Sequence, residues 1–221
     1  DAVGGDDDTV VVFCGSGATS AIDKMVGILG LRSAPHANAG SIPPDQRPVV
    51  FIGPYEHHSN ELPWRESIAD VVTIPEDRDG HVDLDTLRTE LVEHADRPLR
   101  IGAFSAASNV TGILTDTRAI ARVLHEHGAL SFWDFAAAAP YIDIDMNPAD
   151  DPFGYLDAVF LSPHKFVGGP GTPGVLAARR ELFGNPVPVV VGGGTVSYVN
   201  EIEHRYLAAV DTTWERLGSH K

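Results

Sequence analysis

Short apolar runs rich in β-branched residues alternate along the chain with segments of helical period. The runs fall at residues 9–14, 49–53, 71–74, 100–105, 130–134, 158–162 and 174–178. Most are apolar at successive rather than alternate positions, which predicts strands covered on both faces. Helical period appears at 18–31, 61–69, 84–94, 116–127 and 179–183. The 116–127 segment has Thr115 as a candidate N-cap and a stop at Gly128. Such alternation predicts an α/β fold: three α/β/α layers around a mixed, mostly parallel seven-stranded sheet. Residues 33–47 are rich in Pro, Ala and Gly and read as a surface loop, and 143–151 as a polar, acidic connector. From about Val196 the α/β pattern stops, and 201–217 predicts a helix leading elsewhere. The expected organisation is one domain over 1–195 with an exit segment over 196–221.

Composition narrows the function classes. A chain of 221 residues can bury the core of one large α/β domain. Its net charge of −15, with no basic stripe, argues against nucleic-acid binding. No apolar run approaches membrane-spanning length, and the acidic start lacks a signal-peptide pattern. Cys14 is the sole cysteine, so there is no internal disulfide framework, and a reducing cytoplasm is expected. The first residue is Asp rather than Met, which predicts a removed upstream segment. Only Lys24, Lys165 and Lys221 can offer amine chemistry, against 13 arginines.

In open α/β sheets, ligands sit beyond the carboxyl ends of the strands. The residues following the predicted strands form a concentrated set there. Gly15-Ser16-Gly17-Ala18-Thr19 lies between a strand and a helix, where glycines and free N–H groups suit an anion. Alone, it reads equally well as a tight turn. Glu56-His57-His58-Ser59-Asn60 follows the second strand, and Ser108-Asn109-Val110-Thr111-Gly112 the fourth. No metal-ligand spacing accompanies the histidines, so no metal is expected; His125 and His127, two apart on a helix, read as surface residues. Asp134 ends an apolar strand, where a carboxylate is costly to bury unless it meets a cation, although a capping aspartate is the plainer alternative. Ser162-Pro163-His164-Lys165 precedes a glycine-rich stretch that lets other groups reach the amine, a nucleophile for a carbonyl.

Together, in this order, these motifs resemble the class V aminotransferase superfamily of pyridoxal-phosphate (PLP) enzymes, within it the cysteine desulfurase and selenocysteine lyase group. The resemblance runs from about Val10 to Gly194. It implies a PLP-dependent transferase-like large domain that acts on an amino acid in a cytoplasmic homodimer. Lys165 would carry the cofactor as a Schiff base and shuttle the Cα proton. Asp134 would hold the pyridine nitrogen protonated, and His57 would stack on the ring. Gly17, Ala18 and Thr19 would bind the phosphate with Ser162 and His164, and Asn109 would lie near the ring oxygen or the substrate. The Gly192-Gly193-Gly194 loop and Thr195 would reach the partner subunit's phosphate. Two departures stand out: Ala137 occupies a position where relatives often carry Gln, and Cys14 is not placed as a desulfurase's sulfur-accepting cysteine would be. Relatives continue into a small C-terminal domain, so the resemblance implies an excised cofactor domain, inactive by itself.

Other readings remain open at this point. Transamination or another PLP lyase reaction fits the same residues. A dinucleotide-binding oxidoreductase would need an acidic ribose partner about 20 residues past the glycines, where 33–40 holds neither Asp nor Glu. A non-catalytic scaffold retaining the fold predicts that Lys165→Ala leaves function intact.

Overall fold

Strands that are apolar on both sides must be covered twice, and they are. A computed structural model describes residues 2–32 and 42–207. In chain order its elements are β1 (Thr9–Cys14), α1 (Gly17–Ile28), β2 (Val49–Ile52), α2 (His58–Arg65), β3 (Asp70–Thr73), α3 (Leu84–Glu93), β4 (Arg100–Ser105) and α4 (Thr117–Glu126). These are followed by β5 (Leu130–Asp134), β6 (Ala158–Leu161), β7 (Gly174–Arg179), β8 (Val196–Val199) and β9 (His204–Tyr206). Seven strands form one sheet in the order β1-β7-β6-β5-β4-β2-β3. Strands β3, β2, β4, β5 and β6 pair in parallel, and β7 runs antiparallel to both β6 and β1. This is the mixed, mostly parallel sheet that the pattern predicts.

Successive side chains of each strand enter opposite cores. Val50, Ile52, Phe132 and Phe160 join the α1 and α2 side, where Ile22, Met25 and Trp64 meet them. Val49, Phe51, Trp133 and Val159 join the α3 and α4 side with Leu87, Leu91, Ile120 and Leu124. At the edge, Val11 and Phe13 of β1 remain half-exposed. Among the described residues, no helix is long and apolar enough to cross a membrane.

Local chemistry moves several predicted boundaries. Asp116, not Thr115, caps α4, because its carboxylate accepts from Ala119 N at 3.0 Å while the Thr115 hydroxyl donates to Ser105 O. Helix α2 starts earlier than predicted and ends at Arg65, with His57 Nδ1 as its cap. The predicted 179–183 helix shrinks to a single 3-10 turn, Arg180–Leu182, because β7 runs on through Arg179 to pair with Thr9. In place of the start of a 201–217 helix, β8 and β9 form a hairpin; residues 208–217 lie outside the described residues, as do 33–41 of the predicted loop. The 143–151 connector is irregular and tied to α4 by Arg118 to Asp145 and Asp150, and by Arg122 to Asp151.

His125 is not a surface residue. Its side chain is 5% exposed, its Nε2 lies 2.9 Å from Asp157 Oδ2, and Tyr155 stacks on its ring with centroids 3.8 Å apart. The buried carboxylate of Asp157 draws it inward, a long-range partner that helical spacing alone does not reveal.

Candidate functional site

The topology brings the carboxyl ends of β1, β2, β4, β5 and β6 to one edge of the sheet. The amino end of β7 joins them, since Cys14 pairs with Gly174. The loop carrying Lys165, between β6 and β7, therefore lies over the same edge. A cavity of about 200 Å³ opens there.

On one side of the cavity is the start of α1. Ser16, at the N-cap, makes no side-chain bond to the helix, so the first turn keeps N–H groups for an anion. Ala18 N donates to Ser162 Oγ at 2.8 Å, and Thr19 Oγ1 donates to Ser59 Oγ at 2.6 Å. Gly17 has φ +60°, and an added Cβ would stand 2.6 Å from His164 Cε1 and 3.0 Å from Ser162 Oγ. Only glycine permits that turn and that closeness. Gly174 is equally constrained, because a Cβ there would overlap the Gly17 carbonyl oxygen. The result is a small, hydroxyl-lined, helix-headed cradle.

Asp134, at the end of β5, and Lys165, in a 3-10 turn after β6, line the same cavity. Asp134 is 4% exposed and its Oδ1 accepts from Ala136 N at 2.8 Å. Burial pushes its carboxyl above the usual range, while the Ala136 N–H, the Lys165 amine and the nearby His57 oppose that rise. A cation in the cavity would relieve the burial. His57 and Asn109 also line the wall. The His57 ring accepts from Ser59 N at 3.1 Å through Nδ1, which leaves the ring hydrogen on Nε2. His58, its neighbour, is exposed and does not line the cavity.

Nine of the ten predicted site residues thus surround one space: Gly17, Ala18 and Thr19; His57, Asn109 and Asp134; Ser162, His164 and Lys165. Thr195 is not among them. It is buried, and its hydroxyl bonds to the backbone of Gly192. Ala137 lines the cavity without any hydrogen-bonding group on its side chain. Cys14 is buried in β1 and does not line it.

Sequence reasoning assigned Glu56 no role. Its carboxylate is enclosed behind the cavity wall, although the residue as a whole is half-buried. Oε1 accepts from Gly53 N at 3.2 Å and Ser105 N at 2.9 Å; Oε2 accepts from Asn60 Nδ2 at 2.7 Å and Ser105 Oγ at 2.6 Å. Burial pushes this carboxyl up to about 7 against the bonds from the Ser105 hydroxyl, Asn60 and the Ser105 N–H, with a smaller push from Asp134. The available signal was an acid placed directly after a buried strand, where a charge has to find donors.

The cradle, the buried carboxylate, the amine lining the same cavity and the flat imidazole suit the phosphate, ring nitrogen, aldehyde and ring of PLP. Comparison with known proteins gives a consistent picture. The family model for aminotransferase class-V matches residues 3–216. A probable cysteine desulfurase of Halalkalibacterium halodurans is 28% identical over 205 residues, 91% of this chain and 44% of that protein. One from Staphylococcus epidermidis is 33% identical over 172 residues, 76% of this chain and 37% of that protein. The apo structure of a cysteine desulfurase from Thermococcus onnurineus shares the fold, with a TM-score of 0.68 and 21% identity over 96% of this chain and 47% of that one. The chain spans less than half the length of these relatives.

Proposed function

Because this chain belongs to the class V aminotransferase family, whose members use PLP, we propose that it forms the PLP-binding part of an enzyme acting on an amino acid. Within that family we assign it to the cysteine desulfurase branch, after the probable cysteine desulfurases that it resembles. The observation that carries this reading is a single cavity lined by Lys165, Asp134, His57 and the start of α1.

When bound, PLP supplies an aldehyde for an amine and a ring that takes up the electron pair left at a substrate's Cα. The chain's residues do the rest. The first turn of α1, with the hydroxyls of Thr19 and Ser162 and the His164 ring, would hold the phosphate through N–H and O–H donors and the helix dipole. Asp134 would keep a proton on the ring nitrogen, the cation that its buried carboxylate lacks. His57 offers a flat face to cover the ring. Lys165 Nζ would hold the aldehyde carbon and later accept and return the proton at Cα. A homodimer, and Thr195 as a contact to the partner's phosphate, belong to the same reading.

PLP titrated into the chain should give a visible band near ~420 nm, and excess inorganic phosphate should suppress it by competing for the cradle. A spectrum equal to that of free PLP at all concentrations overturns the proposal.

A further inference from the structure

Behind the cavity wall, one carboxylate ties three segments together. Glu56 takes donors from Gly53 at the end of β2, from Asn60 in α2 and twice from Ser105 at the end of β4. Asn60 is fully buried and extends the chain of bonds into the core: its Nδ2 also donates to Ala103 O, and its Oδ1 accepts from Trp64 Nε1 at 3.3 Å. The backbone makes room for this acid, since a Cβ on Gly53 would stand 2.7 Å from Glu56 Oε1. Two of the residues bound or adjacent to Glu56, Ser105 and His57, line the cavity, whereas Glu56 does not.

We infer that Glu56 is a positioning residue: by anchoring the turn between β2 and α2 to β4, it fixes the His57 ring at the cavity wall in the form that carries hydrogen on Nε2. This rests on the cofactor reading only for its functional consequence. The N–H groups of Gly53 and Ser105 reach one oxygen and that of Asn60 the other, so both oxygens must accept. A carboxyl group does so with or without its proton, since Ser105 Oγ can take that proton's hydrogen bond, and an amide does not. His57 follows Glu56 directly and its ring nitrogen caps α2, so loosening the turn releases both the ring and the helix start.

The test compares the chain with its Glu56→Gln and Ser105→Ala variants by nitrogen NMR of the histidine rings, first without cofactor. In the parent chain the His57 Nδ1 signal should be that of an unprotonated acceptor. In Glu56→Gln the two ring nitrogens should move toward averaged positions, and Ser105→Ala should shift them part of the way, providing a milder variant should the first not fold. With PLP added, Glu56→Gln should bind about tenfold more weakly, and should cause no further loss in a His57→Ala background. An unchanged His57 signal, or fully additive losses, overturns the inference. If the parent chain binds no PLP, the cofactor reading fails while the ring signals still decide the role of Glu56.

Discussion

The hydroxyl oxygen of Ser162 accepts a hydrogen bond from Ala18 N at 2.8 Å across a sequence separation of 144 residues. That contact joins the end of β6 to the first turn of α1 and closes the cradle assigned to the phosphate. Neither residue is distinctive alone. The sheet order, with β1 and β6 on either side of β7, makes them neighbours.

Ser162→Ala should therefore weaken PLP binding by about tenfold, while lowering stability by about 1 kcal/mol through loss of one buried hydrogen bond. Titration of the cofactor band and urea unfolding separate the two effects. A stability loss with unchanged affinity would remove Ser162 from the phosphate site.

Asp134→Asn should also weaken cofactor binding, but it should raise stability. The amide oxygen can still accept from Ala136 N, and the costly buried charge is gone, so the unfolding midpoint without cofactor should rise by about 1 kcal/mol in stability. PLP affinity should fall by at least about tenfold, because a neutral amide cannot pair with a protonated ring nitrogen. Equal affinity for both proteins would contradict the assigned role.

Glu56 predicts a pH dependence of folding. Its folded carboxyl, near 7, holds its proton to higher pH than the unfolded chain, whose value is near 4.5. The stability it contributes is complete below the unfolded value and is lost as pH rises through about 7, a change of about 3 kcal/mol from this group. Urea midpoints measured from pH 4.5 to 8 should fall over that window, and Glu56→Gln should flatten the decline. A slope that the variant leaves unaltered would show that another group titrates.

Asp157→Ala should destabilise the fold by about 3 kcal/mol, because it strips the buried partner from His125 and the acceptor from Ser131 N. Asp157 precedes β6, at the opposite end of that strand from Ser162, so PLP affinity of the folded fraction should stay within about twofold of the parent's. A loss of affinity as large as that of Ser162→Ala would mean that the two ends of the sheet are coupled.

Most of the fold was legible in the sequence because it rests on local pattern. Strands such as β2, where Val49 and Phe51 enter one core and Val50 and Ile52 the other, appear as unbroken apolar runs. The site residues were legible because strand ends in such a sheet converge, and the loops after β1, β2, β4, β5 and β6 hold the polar groups. What escaped the reading depends on partners distant in sequence. Glu56 takes its meaning from Ser105, 49 residues on, and His125 from Asp157, 32 residues on. The start of α2 was missed because its cap is an imidazole rather than a hydroxyl or carboxylate. The hairpin of β8 and β9 replaced the start of an expected helix because its backbone pairs with itself, from Val196 with Tyr206 to Val199 with His204.

The central claim is that one amine among three receives the cofactor. The chain incubated with PLP, reduced with borohydride and mapped by peptide mass should carry the pyridoxyl group on Lys165. A label on Lys24 or Lys221 instead, or none that survives reduction, would contradict the account.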